Sequence, residues 1–314
     1  MTASVTTVVV APELGSFARR CLARLLALGP NVEVVFVPDL PPAGLDSRVK
    51  CVPSGTGRTT GEKRQLGLEH ATGDLIALID DDAYPHPSWL VVASAILDSD
   101  PEIAAVAGPT LTPPDDGRLE QLGGRVYASP LVSGPERWRY VPLEARDVED
   151  APSVNFVLRR GDALAAGLSS PDSWGEDTLV CDRLRERGRR IRYDPGVVVY
   201  HSRRPLWRPH LRQLYRWSRH RSAYARTVGG SSRALPYFAP SAFLVFALLG
   251  WALPPAPRRL WKAAMAGYAL ACLAAGADRN PADWLRLSGA IAATHATYGA
   301  GFLLGLAGSP PPRR

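Results

Sequence analysis

The chain has 314 residues, of which 46% are hydrophobic and 21% charged, so it can build a sizeable core and is not intrinsically disordered. Its formal net charge of +7 comes almost entirely from arginine and leaves open a nucleic-acid, anionic-lipid or phosphorylated partner. Four cysteines without close spacing argue against a zinc-type cluster and favour a reducing, cytoplasmic setting.

The first two-thirds of the chain alternate short apolar runs with helical patterns, which predicts an α/β fold with a mostly parallel sheet. Strands are predicted at residues 5–11, 32–37, 48–52 and 74–79, and helices at residues 17–28 and 61–71. Ligands of such sheets bind at the carboxyl ends of the strands. Asp39 and the triplet Asp80, Asp81 and Asp82 follow strand ends, so we expect a ligand site there.

The composition changes near residue 205. Residues 206–226 are basic and aromatic, and Arg208, Arg212 and Arg216 repeat every four residues, which aligns them on one helical face. Three apolar stretches follow, at residues 237–253, 260–275 and 284–306. A membrane-spanning helix needs about 20 apolar residues. The third stretch meets this requirement, the second is slightly short, and the first contains Pro240.

The distribution of basic residues constrains how these stretches meet a membrane. If all three crossed, Arg258, Arg259 and Lys262 would lie outside together with Arg313 and Arg314, against the positive-inside rule. A re-entrant or interfacial first stretch keeps both clusters inside, and we favour that layout over a buried helical core in a soluble domain. The predicted domains are a catalytic domain at 1–205, a basic amphipathic interfacial helix at 206–232, and a hydrophobic membrane region at 233–314 with two or three spanning or re-entrant segments.

The acidic triplet Asp80–Asp82 is the strongest local signal. Three adjacent carboxylates repel one another unless a cation lies between them, and Mg²⁺ or Mn²⁺ is commonly held by a few carboxylates plus substrate phosphates. Alternate residues of an extended strand face the same side, so Asp80 and Asp82 can act together. The alternative is a solvated acidic turn before Pro85 and Pro87.

Further motifs occur in an order typical of one family. They are Gly61-Glu62-Lys63-Arg64-Gln65, Ala71-Thr72-Gly73-Asp74, Ile79-Asp80-Asp81-Asp82-Ala83-Tyr84-Pro85, residues 153–160, Gly175-Glu176-Asp177, Val198-Val199-Tyr200-His201 and Gln213-Leu214-Tyr215-Arg216-Trp217. Over about residues 5–218, the chain resembles the family 2 inverting glycosyltransferases of GT-A fold, and the last motif fits the Gln-x-x-Arg-Trp element of membrane polysaccharide synthases. C-terminal membrane helices complete the resemblance.

The resemblance implies a set of site residues. Asp82 and His201 would hold Mg²⁺ or Mn²⁺, and Asp177, with Glu176, would be the catalytic base. The substrate-binding residues that it implies are Pro12, Glu13, Asp39, Lys63, Arg64, Asp80, Asn155, Gln213, Arg216 and Trp217. Two positions depart from the family pattern: Asp39 lacks a second acidic neighbour, and Pro12-Glu13 replaces a Pro-x-x-Asn element.

Each assignment has a plainer alternative. Glu176 and Asp177 open a predicted helix, where the dipole keeps an Asp ionised but where acidic residues also serve as caps. His201 follows a buried strand and could be a metal ligand or an ordinary histidine. Lys63 and Arg64 could meet a diphosphate or be solvated. The segment with Gln213, Arg216 and Trp217 could contact substrate, lie at lipid headgroups, or do both.

We therefore expect a metal-dependent inverting transfer of sugar from a nucleoside-diphosphate sugar to a hydroxyl of a lipid-linked or membrane-proximal glycan. The predicted setting is a bacterial-type cell membrane with the catalytic domain in the cytoplasm and membrane lipids as partners. It is also compatible with a membrane partner subunit. A nucleotidyltransferase of related fold is an alternative, although residues 11–16 lack its Gly-rich basic loop. A non-catalytic membrane scaffold is another. A nucleic-acid partner is not expected, because the densest arginine run directly precedes the apolar stretches.

Overall fold

The computed structural model describes residues 3–170 and 175–308. The chain divides into two compact units. The first, here the sheet unit, comprises Met1–Pro113 and Trp138–Ser202; the second, the helical unit, comprises Pro114–Arg137 and Arg203–Arg314. No pattern in the sequence predicts that Pro114–Arg137 folds with the C-terminal helices.

The described residues contain eleven strands and eleven α-helices, besides short 3-10 turns. The strands are β1 (Val5–Val10), β2 (Val32–Val37), β3 (Val49–Cys51), β4 (Leu75–Asp80), β5 (Ala83–Pro85), β6 (Ile103–Ala107), β7 (Thr110–Leu111), β8 (Arg146–Asp147), β9 (Phe156–Arg159), β10 (Arg190–Tyr193) and β11 (Val199–His201). The helices are α1 (Ser16–Leu26), α2 (Thr60–Glu69), α3 (Trp89–Ser99), α4 (Arg118–Ala128), α5 (Pro130–Ser133), α6 (Arg160–Ala166), α7 (Glu176–Glu186), α8 (Arg208–Thr227), α9 (Ala239–Leu249), α10 (Pro255–Ala275) and α11 (Pro281–Ala307). The predicted elements differ from these by a few residues at their ends, where helices fray and strands lose pairing.

The main sheet has eight strands in the order β3-β2-β1-β4-β9-β6-β10-β8. The pairs β3–β2, β2–β1, β1–β4 and β6–β10 are parallel, whereas β9 is antiparallel to both of its neighbours and β8 to β10. A smaller sheet has the order β5-β11-β7. The predicted α/β fold with a mostly parallel sheet is confirmed.

Both faces of the main sheet are covered, which explains the unbroken apolar runs in the sequence. One apolar cluster includes Val9, Leu25 and Ile79, and the other includes Val8 and Leu158. Alternate residues of β1 thus contribute to opposite clusters, as the two-residue repeat of a strand requires. The core fixes the carboxyl ends of β1 and β4 side by side, where the acidic triplet begins.

Helix α2 follows β3 and begins with a capping box. The Thr59 hydroxyl accepts from the Glu62 backbone N–H at 3.2 Å, and the Glu62 carboxylate accepts from the Thr59 backbone N–H at 2.7 Å. A Cβ on Gly67 would lie 2.4 Å from a Val8 methyl, so only glycine lets α2 approach β1 this closely. The cap and this close contact fix the first turn of α2, which carries Lys63 and Arg64.

Two segments of the helical unit, Leu235–Ala252 and Pro281–Ala307, are long and apolar enough to cross a membrane by length and composition. They overlap the first and third predicted apolar stretches. Within the unit, 11% of the first segment and 44% of the second are buried against other residues. The second segment is therefore packed against other residues of the unit over nearly half of its window, whereas the first is mostly unburied.

Candidate active site

The acidic triplet lies where β4 of the main sheet passes into β5 of the small sheet. Asp80 is the last residue of β4, and Ala83 the first of β5. Strand β11 pairs antiparallel with β5 and sets His201 opposite Ala83. The Ser202 backbone N–H donates to the Asp82 carbonyl at 3.0 Å. This short ladder brings His201 next to Asp82, although 118 residues separate them in the sequence.

Three side chains form a candidate metal site at this junction. Asp80, Asp82 and His201 each offer one ligand atom, and these atoms lie within 4.8 Å of one another. His201 Nε2 lies 3.1 Å from Asp82 Oδ1. Two carboxylates and an imidazole suit Mn²⁺ or Mg²⁺, and all three side chains are only partly buried, which leaves room for phosphate oxygens as further ligands. Asp80, predicted to assist the donor, is thus also available as a metal ligand.

Arg64 connects this site to the predicted base. Its side chain is 7% exposed and lies 2.8 Å from Asp80, 3.1 Å from Asp177 and 3.5 Å from Glu176. Burial by itself would lower the pKa of Arg64, but the carboxylates of Asp177, Asp80 and Glu176 together raise it. A buried guanidinium with such neighbours stays charged, and the cluster brings together residues 64, 80, 176 and 177.

The predicted base lies at the start of α7. Gly175 precedes the helix with a φ of 74°, a left-handed conformation that favours glycine, and Glu176 and Asp177 occupy the first turn. Asp177 Oδ2 accepts from the Ser153 backbone N–H at 3.2 Å. The Asp177 side chain is 34% exposed, so a substrate hydroxyl can reach it. A narrow cavity of about 10 Å³ borders the two acidic residues and Arg64.

The predicted donor-side residues lie together at the ends of β1 and β2. The Lys63 ammonium, which is buried, donates to the Ala11 carbonyl at 2.9 Å and forms an ion pair with Asp39. The Asp39 backbone N–H donates to the Pro12 carbonyl at 3.1 Å. Pro12 and Glu13 are exposed next to this pair. Lys63 is therefore not a solvated helix-face charge, and in this structure it ties two strand ends together.

Asn155 has a different environment from the one its predicted role suggested. Its side chain is fully buried. Asn155 Oδ1 accepts from the Trp89 indole N–H at 2.8 Å, and Nδ2 donates to the carbonyls of Val197 at 2.7 Å and Pro109 at 3.2 Å. All of its hydrogen-bonding groups are thus directed to the protein. Asn155 joins α3 to the loops around β7 and β11 instead of facing a substrate.

The motif residues Gln213, Arg216 and Trp217 lie on α8, in the helical unit. Gln213 Oε1 accepts from the Tyr127 hydroxyl at 3.4 Å, and the rings of Trp217 and Tyr127 are 5.9 Å apart. Arg216 is exposed, and Trp217 is 39% exposed. Within the helical unit, Tyr127 of α4 thus supports two of the three motif side chains.

One group of residues behind the metal site was missed by the sequence analysis. The rings of Tyr84 and Tyr200 stack at 5.1 Å, and the guanidinium of Arg20 lies 4.8 Å from the Tyr84 ring. Arg20 Nη2 also donates to the Ser202 hydroxyl at 2.6 Å. These residues lie on α1, β5 and β11, next to Asp82 and His201. Only the positions of Tyr84 and Tyr200 beside the predicted ligands could have indicated them.

Comparison with known proteins agrees with this geometry. Residues 8–157 match the sequence model of the family described as Glycosyl transferase family 2. Pre-mycofactocin glycosyltransferase of Mycobacterium tuberculosis is 29% identical over 193 residues, which cover 60% of this chain and 37% of the relative. Glucosyl-dolichyl phosphate glucuronosyltransferase of Haloferax volcanii is 27% identical over 148 residues, 44% of this chain and 46% of the relative. The chain thus spans less than half the length of these curated relatives.

A solved structure extends the likeness to the fold of nearly the whole chain. The mannosyltransferase PcManGT from Pyrobaculum calidifontis, in complex with GDP-Man and Mn²⁺, superposes with a TM-score of 0.62. The match has 18% sequence identity and covers 96% of this chain and 88% of the other. Residues 8–157 thus match the family model, and the predicted GT-A fold is confirmed. The solved neighbour is a complex with Mn²⁺, and Asp80, Asp82 and His201 of this chain could hold a metal ion.

Proposed function

We propose that this chain, as a carrier of a family 2 glycosyltransferase domain, transfers a sugar from a nucleoside-diphosphate sugar to an acceptor hydroxyl with inversion of the anomeric carbon. The observation that carries the proposal is the Arg64 cluster. It connects Asp80, a candidate metal ligand, to the acidic pair Glu176–Asp177 through contacts of 2.8–3.5 Å. An inverting transferase needs these two functions next to each other.

In this mechanism, Asp177 removes the proton from the acceptor hydroxyl as the oxygen attacks the anomeric carbon. The hydrogen bond from the Ser153 backbone N–H and the ion pair with Arg64 hold its carboxylate in place. Glu176 faces the same guanidinium and completes the acidic pair. Attack from the side opposite the leaving group inverts the configuration in a single displacement.

The donor would lie along the carboxyl ends of β1, β2 and β4. Pro12, Glu13, Asp39 and Lys63 border the expected nucleoside position. Asp80, Asp82 and His201 would hold Mn²⁺ or Mg²⁺, which when bound neutralises charge on the diphosphate leaving group. Arg64 would orient Asp80 and Asp177 about the reacting centre.

We further propose that the acceptor is a lipid-linked or membrane-proximal glycan and that the catalytic domain lies on the cytoplasmic side of a bacterial-type membrane. Two apolar segments in the helical unit support membrane attachment. The Haloferax volcanii relative, whose name contains a dolichyl phosphate substrate, supports a lipid-linked acceptor. Gln213, Arg216 and Trp217 would contribute to acceptor or diphosphate binding, and a membrane partner subunit would be compatible with these roles.

The first test is a panel of nucleotide sugars with Mn²⁺ on the membrane-reconstituted chain, scored by transfer or donor hydrolysis. Asp177→Asn should lower transfer by at least about a hundredfold, because general-base catalysis contributes about 10²–10⁴. Donor binding should persist, since Asn occupies the same volume. Glu69→Gln, an exposed acidic change at the end of α2, is the control and should leave transfer unchanged.

Two outcomes would contradict the proposal. Retained transfer in Asp177→Asn would remove Asp177 as the base. If no nucleotide sugar of the panel binds or is turned over, the proposal that the chain is an enzyme is contradicted, and a non-catalytic scaffold is favoured. Transfer of the nucleotidyl group from the nucleotide sugar, with release of the sugar 1-phosphate, would instead support the nucleotidyltransferase alternative.

A further inference from the structure

Helix α11 runs through the middle of the helical unit and is accompanied by α8. A Cβ on Gly301 would lie 2.1 Å from Ser218 Oγ, and a Cβ on Gly305 would lie 1.9 Å from Ser222 Oγ. His210 Nε2 lies 3.0 Å from Thr294 Oγ1. The order of these contacts shows that the two helices run parallel. If α11 crossed a bilayer in this arrangement, α8 would have to cross with it.

The composition of α8 opposes such a crossing. Its twenty residues include Arg208, Arg212, Arg216, Arg219, Arg221 and Arg226, and they include no acidic residue. An arginine at the bilayer centre costs about 2.5–3.5 kcal/mol even on the insertion scales that give the lowest values. The exposed arginines of α8 would therefore be strongly unfavourable in the hydrocarbon region.

The loop between α10 and α11 gives a second argument. Asp283, in the first turn of α11, has Oδ2 2.6 Å from Arg118 Nη2, and Asp278 of the loop forms an ion pair with Arg125. Both arginines belong to α4, which has only 11 residues and is joined to the sheet unit at Pro113 and at Trp138. A helix this short, about 16 Å, does not cross a hydrocarbon core of about 30 Å. The loop therefore stays on the same side as the sheet unit.

The opposite end of the unit is basic. Helix α10 runs antiparallel to α11, since Tyr268 bonds His295 at 2.7 Å and the Trp284 indole donates to the Leu273 carbonyl at 2.6 Å. Arg258, Arg259 and Lys262, at the start of α10, are thus at the end of the unit remote from the α10–α11 loop. A spanning bundle would place them on the far side, against the positive-inside rule.

The unit nevertheless exposes a large apolar surface. On α9 and the turn after it, Leu248 is 66%, Leu249 63% and Trp251 67% exposed, and Leu260 and Leu270 of α10 are 75% and 66% exposed. Helix α9 itself has 11 residues, or about 16 Å, and with the 3-10 turns before and after it the apolar segment has 18 residues. Arg259 and Lys262 border this surface and are exposed.

We propose that the helical unit binds one leaflet of a bilayer that contains anionic lipids and does not cross it. The outer faces of α9 and α10 lie in the acyl region, and the neighbouring arginines and lysine contact headgroup phosphates. Both ends of α11 then lie on the side of the sheet unit. The inference rests on the membrane attachment proposed above, but not on the glycosyl-transfer reaction.

Cysteine accessibility in membrane vesicles tests this topology. The full chain with Cys51→Ser, which leaves only buried cysteines, would carry one exposed reporter: Arg279→Cys in the α10–α11 loop, Ala256→Cys at the basic end, or Val91→Cys in the sheet unit. A membrane-impermeant maleimide is added to inside-out and right-side-out vesicles. We expect all three reporters to react in the same vesicle orientation and to be protected in the other.

Labelling of Ala256→Cys in the orientation opposite to Val91→Cys would overturn the proposal, because it requires a crossing between them. Recovery of the chain in the soluble fraction would overturn it as well. Donor turnover is measured on the same vesicles. A one-sided labelling pattern without turnover leaves the topology supported and contradicts only the proposed function, so the two failures are distinguishable.

Discussion

Arg20 illustrates how a residue without a predicted role can determine the geometry of a site. Its guanidinium lies over Tyr84 and donates to the Ser202 hydroxyl, so one side chain contacts residues close to two of the candidate metal ligands, Asp82 and His201. Tyr84 is two residues after Asp82, and Ser202 follows His201. Side chains that orient ligands commonly contribute as much to metal affinity as some ligands do. Arg20 is therefore expected to act as a positioning residue.

Arg20→Met should weaken Mn²⁺ binding about tenfold, which is the lower end of the range for residues that support metal ligands. The methionine keeps much of the length and apolar volume of arginine but loses the hydrogen bond and the positive charge over Tyr84. The measurement is the electron paramagnetic resonance signal of free Mn²⁺ during titration. Arg19→Met, on the same helix but bonded to the Gly44 carbonyl, should bind Mn²⁺ like the wild type. Equal affinity in both variants would contradict the positioning role.

Arg64 shows why sequence reasoning reached only part of the candidate site. An order of motifs that resembles one family indicated Asp80, Asp177 and Arg64 one by one, but not that one buried guanidinium would contact both acidic groups. That contact depends on the packing of α2 against β1 and on the start of α7, which are separated by more than 100 residues. Long-range side-chain contacts of this kind leave no local pattern in a sequence.

The elements were predicted with varying success, and the reasons are physical. Buried strands such as β1 and β4 have unbroken apolar runs, and α2 has a Thr59-Glu62 capping box, so their positions are visible in the sequence. The sequence does not show that β9 is antiparallel to its neighbours, because a buried strand has the same apolar pattern in parallel and antiparallel pairs. Nor does the sequence indicate that α4 packs with the C-terminal helices, because Leu122 and Val126 would suit either unit.

His210 determines how α8 responds to pH. The imidazole is fully buried between Tyr127, whose ring lies 4.8 Å away, and Thr294. Burial lowers its pKa from 6.5 to about 4, so the histidine is neutral in the folded protein at neutral pH. In the unfolded chain, it binds a proton near pH 6.5. Its contribution to stability is therefore complete above about pH 6.5 and decreases as the pH falls towards 4.

We expect the free energy of unfolding to decrease by about 2 kcal/mol between pH 7 and pH 5 through His210 alone, at 1.36 kcal/mol per pH unit. Glutamine does not titrate, so the His210→Gln variant should not show this decrease in the free energy of unfolding between pH 7 and pH 5. This holds whatever the stability of the variant at pH 7. The difference in free energy of unfolding between pH 7 and pH 5 is measured by urea unfolding, with hydrogen exchange of the α8 amides as the probe. His70→Gln, at an exposed site, should keep the wild-type pH dependence. The same slope in His210→Gln and the wild type would contradict the assignment.

At the scale of the whole molecule, most of the exposed large apolar side chains that the structure describes belong to the helical unit. Exposed leucines occur singly in most soluble proteins and need no explanation. Here Leu248, Leu249 and Trp251 are contiguous, and basic residues border them, a combination typical of a membrane-binding surface. Under the proposed membrane attachment, anionic lipid would account for the net charge of +7, which alone allowed several partners.

The double variant Leu248→Glu/Leu249→Glu should reduce binding to anionic vesicles about a hundredfold, since each leucine contributes about 1.5 kcal/mol or more when buried in lipid. The fold should be retained, because both side chains point out of the unit. Cosedimentation with vesicles measures the partition, and circular dichroism checks the helices. Val91→Glu, which replaces a 71% exposed residue of the sheet unit, is the control and should bind like the wild type. Equal binding of the double variant would show that another surface attaches the chain to the membrane.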